Sequence, residues 1–159
     1  MFQRHILQNV QRRMSTMPVV LLVGPRQCGK TTLCKGLGSD LGMDYISCDH
    51  ITMLASIQFD PAGFLKNLTK PVIIDEVQRV PEIFLPIKVD VDENRYPGRY
   101  LLTGSANPLL VPKLGDGLTG RMGICNMWPL SQSEIHGTKE NFLTIVFGDT
   151  SWHRIYPQL

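Results

Sequence analysis

One octapeptide constrains this chain more than any other feature: Gly24-Pro25-Arg26-Gln27-Cys28-Gly29-Lys30-Thr31. It matches G-x-x-x-x-G-K-[ST]. It follows a short aliphatic run at residues 19–23 (VVLLV) and precedes a stretch of helical character. The glycines let a loop wrap closely around an anion. Backbone N–H groups and the N-terminus of the next helix then bind phosphate. Lys30 reaches the β and γ phosphates, and Thr31 offers a hydroxyl to Mg²⁺. The candidate nucleotide-binding residues are therefore Gly24, Pro25, Arg26, Gln27, Cys28, Gly29, Lys30, Thr31 and Thr32.

Such a loop needs a buried strand before it, and the rest of the sequence repeats that arrangement. Residues 2–14 read as an amphipathic helix, with Phe2, Ile6, Val10 and Met14 recurring every four positions. Apolar strands are expected at 19–23, 43–48, 72–74, 99–103 and 121–128. Helices are expected at 30–38, 50–59, 61–68, from Pro81 onward, and at 108–119. Pro86 is expected to bend the Pro81 helix. Ser131-Gln132-Ser133-Glu134 fits a capping box and should open a further helix. Strands alternating with helices imply right-handed crossovers and a parallel sheet. Ligands then bind at the carboxyl ends of the strands. The informative polar clusters fall there: residues 24–32, Asp75-Glu76, and residues 103–105.

The acidic pair carries the second part of the chemistry. An apolar run, Val72-Ile73-Ile74, ends in Asp75-Glu76 about 45 residues past the loop. An Asp so placed holds Mg²⁺ in phosphate-loop enzymes. A Glu directly after it can take a proton from an attacking water. Thr103-Gly104-Ser105 could hold that water or the γ-phosphate, though an ordinary Ser/Thr-rich turn is a serious rival. Arg121 has the default reading of a surface arginine. Its alternative is a charge reaching a neighbouring subunit's phosphates. Asp60-Pro61-Ala62-Gly63 spells a GTPase-like D-x-x-G, but it precedes the third strand instead of ending it. No Asn-Lys-x-Asp follows, so guanine specificity is unsupported.

Composition narrows the class. The chain has 159 residues, 43% hydrophobic and 19% charged, which suits one globular domain and excludes a disordered chain. The longest aliphatic runs are far short of a membrane span, which needs about 20 apolar residues. A net charge of +2 gives no argument for nucleic acid by itself. The charge is uneven, however: Arg4, Arg12, Arg13, Arg26, Lys30 and Lys35 precede the first acid, Asp40. That pattern suits a phosphate site, with an organelle transit segment as the minor reading. No apolar signal-peptide core develops. Cys28, Cys34, Cys48 and Cys125 lack C-x-x-C spacing, so reduced thiols in a cytoplasmic protein are expected.

Five segments in order, GPRQCGKTTL, IIDEVQRVPEIF, LLTGSANPLL, LTGR and PLSQSEI, resemble a family of AAA+-type ATPases of bacteria and archaea. Its members carry an N-terminal ATPase domain and a C-terminal domain of unknown function. The resemblance covers roughly residues 4–147. It implies an α/β phosphate-loop NTPase, a three-layer αβα sandwich with a parallel sheet and the loop strand central. It implies ATP/ADP bound by residues 24–32, Mg²⁺ at Thr31 and Asp75, and catalysis through Glu76. It also implies a sensor role for Ser105 or Thr103 and a finger-like role for Arg121. Gln78 matches the family's D-E-x-Q run without an assigned role. Members extend well past the PLS segment, whereas this chain stops at Leu159. The expected organisation is a helix at 1–17, the ATPase core at 18–147, a ragged tail at 148–159, and no C-terminal domain.

Three function classes remain open on the sequence. The first is an ATPase module coupling nucleotide state to a partner or DNA, with a homo-oligomer and weak DNA binding as expected properties and no membrane partner. The second is a small-molecule or nucleoside kinase. It is disfavoured because residues 107–130 offer a lid only Lys113 and Arg121. The third is a nucleotide-binding remnant without turnover.

Overall fold

The computed structural model describes residues 2–105 and 117–137. Its elements are α1 (Ile6–Met14), β1 (Val19–Gly24), α2 (Lys30–Leu41), β2 (Asp44–Ser47), α3 (Ile51–Phe59), α4 (Pro61–Lys66), β3 (Val72–Asp75), α5 (Phe84–Glu93), β4 (Tyr100–Ser105), β5 (Met122–Asn126) and α6 (Gln132–His136). Two 3₁₀ turns, Val77–Arg79 and Pro81–Ile83, join β3 to α5. The chain divides into two compact units, Arg4–Pro129 and a second formed by Met1–Gln3 with Leu130–Leu159.

The first unit is an α/β sandwich around one five-stranded sheet, in the order β2-β3-β4-β1-β5. Each strand pairing is parallel. The loop-bearing strand β1 is partnered on both sides, by β4 and β5, as the expected central position requires. It is buried at all positions, which is why it reads as an unbroken apolar run.

Alternation along the strands divides the core between the two faces of the sheet. Val19, Leu21, Val72, Ile74, Tyr100 and Leu102 point to one face, with Ile57 of α3, Leu65 of α4 and Ile87 and Val91 of α5. Val20, Leu22, Ile73 and Leu101 point to the other, with Val10 and Met14 of α1 and Leu33, Cys34 and Leu37 of α2. The result is three layers, as expected.

Several boundaries differ from expectation, each for a physical reason. α1 starts at Ile6 and not at residue 2. α2 continues past residue 38 to Leu41 because Gly38 serves packing: a Cβ there would lie 2.6 Å from Ile73 Cδ1. Pro81 opens a 3₁₀ turn, and α5 begins only at Phe84. Pro86 thus falls in the first turn of α5, where its missing N–H costs no intrahelical bond, and the expected bend loses its cause. Asp60, of the D-x-x-G segment, is a helix cap. Its Oδ1 accepts from Gly63 N–H at 2.9 Å, with Pro61 at the first helical position.

In the second unit the expected capping box is present. Ser131 Oγ accepts from Glu134 N–H at 3.3 Å, and Glu134 Oε2 accepts from Ser131 N–H at 3.0 Å. The helix expected at 108–119 falls almost wholly outside the described residues, as does the tail from 138 onward.

Candidate functional site

β1 delivers the loop and α2 receives it. Gly24 ends the strand against the chain that follows β5: a Cβ on Gly24 would lie 2.3 Å from the Met127 carbonyl oxygen, so only glycine fits. Gln27 and Gly29 take left-handed backbone conformations, at φ 62° and φ 96°. These reversals turn the loop back onto the first turn of α2, where unpaired N–H groups and the helix dipole favour an anion. Lys30 is buried, and its Nζ donates to the carbonyls of Gly24 at 3.0 Å and Pro25 at 2.9 Å. The ammonium is thereby held inside the loop, where phosphate oxygens would compete for it.

Parallel pairing brings the β3 tip beside this loop. Thr31 Oγ1 donates to Asp75 Oδ2 at 2.9 Å. Thr103 Oγ1, from β4, donates to the other oxygen, Oδ1. Tyr45 of β2 donates a third hydroxyl, to Oδ2, at 2.6 Å. Burial, then the bond to Asp75, push the Tyr45 ionisation up, so it stays a donor. Asp75 is thus buried behind Thr31, with each oxygen satisfied. Its negative charge also helps keep two nearby thiols protonated. Burial foremost, and then Asp75, push Cys34 and Cys48 each up to about 12.

Glu76 directly follows on a left-handed backbone, φ 59° and ψ 42°. For a non-glycine residue that conformation costs about 1–3 kcal/mol and tends to occur at functional sites. Its N–H donates to Thr103 Oγ1 at 3.1 Å. Its side chain reaches the cleft, a cavity of about 520 Å³ also lined by Lys30, Thr31, Gln78, Arg79 and Asp49. Arg79 and Asp49 form an ion pair of 2.7 Å at the cleft wall. Ser105 lies at the tip of β4, its Oγ 3.5 Å from Glu76 Oε2.

Residues 24–32, Asp75, Glu76, Thr103 and Ser105 therefore converge on one end of the sheet. Arg121 does not. It precedes β5, its carbonyl accepts from Val19 N–H at 3.2 Å, and its guanidinium pairs with Asp92 of α5. It thus sits at the start of β1, about 16 Å of strand rise from Gly24 at about 3.3 Å per residue.

Two contributors escaped the sequence reading. Tyr45 gave no signal, because its link to Asp75 exists only once β2 pairs with β3. Arg4 stands out in the sequence only as one of the basic residues ahead of Asp40, inside the helix expected at 2–14, yet it lies ahead of α1. Its guanidinium donates to the Cys28 carbonyl at 2.7 Å and the Trp128 carbonyl at 2.6 Å, bracing the loop against the segment after β5.

Comparisons with known proteins give the family and the fold. Residues 16–136 match the model of an AAA domain family. Over 136 residues the chain is 35% identical to the uncharacterized proteins Mb2031c of Mycobacterium bovis and Rv2008c of Mycobacterium tuberculosis. Those matches take in 84% of this chain but only 30% of each relative, so the chain spans about a third of their length. Among solved structures, the Walker-type ATPase PABY2304 of Pyrococcus abyssi superposes with a TM-score of 0.59 at 16% identity, covering 84% of this chain and 55% of that one. At that identity the likeness speaks for the fold, a phosphate-loop NTPase sandwich. Among the described residues no helix is long and apolar enough to cross a membrane. With its phosphate loop, strand-end Asp-Glu pair and parallel sheet in place, this chain belongs to the AAA domain family.

Proposed function

We propose that the chain is a Mg²⁺-dependent ATPase module that splits ATP into ADP and phosphate and couples its nucleotide state to a partner chain or to DNA. The observation that carries this reading is the Thr31–Asp75 hydrogen bond, with Glu76 next in sequence at the cleft. A hydroxyl and a carboxylate beside a phosphate loop are the hard oxygen donors that Mg²⁺ takes together with substrate phosphates. Thr31 and Asp75 would hold the ion, which when bound neutralises charge on the β and γ oxygens.

The residues of the chain divide the remaining work. The loop amides and Lys30 hold the phosphates against the first turn of α2. Thr103 and Tyr45 fix the Asp75 carboxylate from behind. Glu76 accepts a proton from the water whose oxygen bonds to the γ phosphorus, while the bond from that phosphorus to the bridging oxygen breaks and ADP departs. Arg121 lies too far from Gly24 to serve its own loop, so any role on the phosphates is played in a second copy, across a homo-oligomer interface. An arginine supplied in that way is worth about 10³–10⁵ in rate.

The test is ATP turnover measured across a range of protein concentration, with ATP affinity in parallel. The reading expects Glu76→Gln to bind ATP as the parent does and to hydrolyse none. It expects turnover per chain to rise with concentration, and Arg121→Ala to lower it while sparing affinity. Parent-rate hydrolysis by Glu76→Gln places the base elsewhere. Rapid, concentration-independent turnover indifferent to Arg121→Ala puts the whole site in one chain.

A further inference from the structure

Glu76 and Ser105 are joined by a side chain that the phosphate chemistry above leaves unused. Gln78 lies in the 3₁₀ turn after β3, and its carboxamide bridges the tips of β3 and β4. Ser105 N–H donates to Gln78 Oε1 at 3.2 Å. A backbone N–H can only donate, so this bond fixes which end of the amide is oxygen. The Nε2 end therefore faces Glu76 and donates to its Oε2. The same nitrogen lies 3.5 Å from Ser105 Oγ. Gly104 leaves room for the bridge: a Cβ there would lie 3.1 Å from Gln78 Oε1, a tight contact.

A general base must be aimed, and it must keep a lone pair free for the proton. Gln78 occupies Glu76 Oε2, whereas Oε1 accepts no hydrogen bond from the described residues. The left-handed backbone at Glu76 starts the turn that swings Gln78 back onto the carboxylate two residues earlier. Main-chain strain, an amide of fixed orientation and a glycine at the contact point thus serve one arrangement.

We propose that Gln78 is a positioning residue for hydrolysis: its carboxamide locks one oxygen of Glu76 to the tip of β4 and presents the other to the attacking water. The proposal rests on the reading of Glu76 as the base. Any shift of Ser105 is passed to Glu76 through this bridge, so the base and the β4 tip move as one.

The experiment compares the parent chain with Gln78→Ala, Gln78→Glu and Glu76→Gln. Single-turnover ATP hydrolysis is followed with protein in excess, and ADP binding is measured by calorimetry. Gln78→Ala should lower the hydrolysis rate constant by about 10–100-fold, the scale of a misaimed catalytic group, while ADP affinity stays within about twofold. Gln78→Glu can still accept from Ser105 N–H but sets a second carboxylate against Glu76. It cannot donate to Oε2, so it should hydrolyse more slowly than the parent although it keeps the bond to β4. A readout without turnover is the affinity for ADP with aluminium fluoride and Mg²⁺, a mimic of the transferring phosphoryl group. Its gain over ADP alone should shrink by about tenfold in Gln78→Ala.

If Glu76→Gln is silent while Gln78→Ala hydrolyses and binds the mimic like the parent, Gln78 has no positioning role and Glu76 keeps its own. Parent-rate hydrolysis by Gln78→Glu overturns the proposal in the same way. If Glu76→Gln hydrolyses at the parent rate, the base reading fails and the proposal with it.

Discussion

Thr31 and Asp75 lie 44 residues apart in the chain and 2.9 Å apart in space, hydroxyl to carboxylate. The contact joins the first turn of the helix after the loop to the tip of β3, two strands away from β1 in the sheet. It exists because β4, between them, contributes Thr103 to the opposite oxygen of the same carboxylate. The site is therefore a product of strand order, and each partner of Asp75 tests part of it.

Asp75→Asn should leave ADP binding measurable and remove most of its dependence on Mg²⁺. The amide keeps one acceptor oxygen but loses the charge that would hold the ion. Titration of ADP with and without Mg²⁺ checks this: the affinity ratio should fall toward one. Tyr45→Phe, which leaves Thr31 and Thr103 in place, should keep the parent's ratio.

Arg4→Ala should weaken ADP binding by about tenfold. Hydrogen bonds from the Arg4 guanidinium tie the Cys28 carbonyl to the chain after β5, and each such charged bond contributes about 1.5–3 kcal/mol. A looser loop must be ordered when the anion binds. Calorimetry on this variant decides the matter, and parent affinity would show that the loop needs no brace.

Asp90→Asn should destabilise the fold by about 3 kcal/mol at neutral pH, as expected when a largely buried ion pair loses one partner. Arg99 Nε donates to Asp90 Oδ2 at 2.6 Å and Arg99 Nη2 to Oδ1 at 2.7 Å, with the Tyr100 hydroxyl as a third donor. Burial alone would raise the Asp90 ionisation, but the bonds from Arg99 and Tyr100 outweigh it and lower it below the usual carboxylate range. A carboxylate depressed in the folded state stabilises above its unfolded value, about 3.9, and that contribution fades as pH falls through the folded value. The stability difference between parent and variant, from denaturant melts, should be full at pH 7 and shrink below about pH 4. A difference independent of pH contradicts this.

The sequence was most legible where function is local in the chain. The phosphate loop, the Asp75-Glu76 strand end and the Ser131 capping box each declare themselves within a few residues. Boundaries were less legible where packing decides, as at Gly38, where the expected helix ends but where α2 packs against Ile73 and continues to Leu41. Pro86 misled because its effect depends on where α5 begins, and two 3₁₀ turns delay that start to Phe84. The contacts that tie the site together were hidden, although Gln78 and Thr103 themselves stand out in the sequence. Arg4 reaches 24 and 124 residues along the chain, Tyr45 reaches 30, and Gln78 meets Ser105 across 27. No periodicity or spacing encodes such contacts; they follow from the order of strands.

The central claim is that this loop binds the phosphates of a nucleotide through Lys30. The most direct measurement is calorimetric titration of the parent chain and Lys30→Ala with ADP in the presence of Mg²⁺. Removing the buried ammonium takes a full positive charge from the concavity of the loop. The parent should bind ADP, and Lys30→Ala should bind it several-fold or more weakly. Equal affinity for the two, or no binding by the parent, would contradict the account.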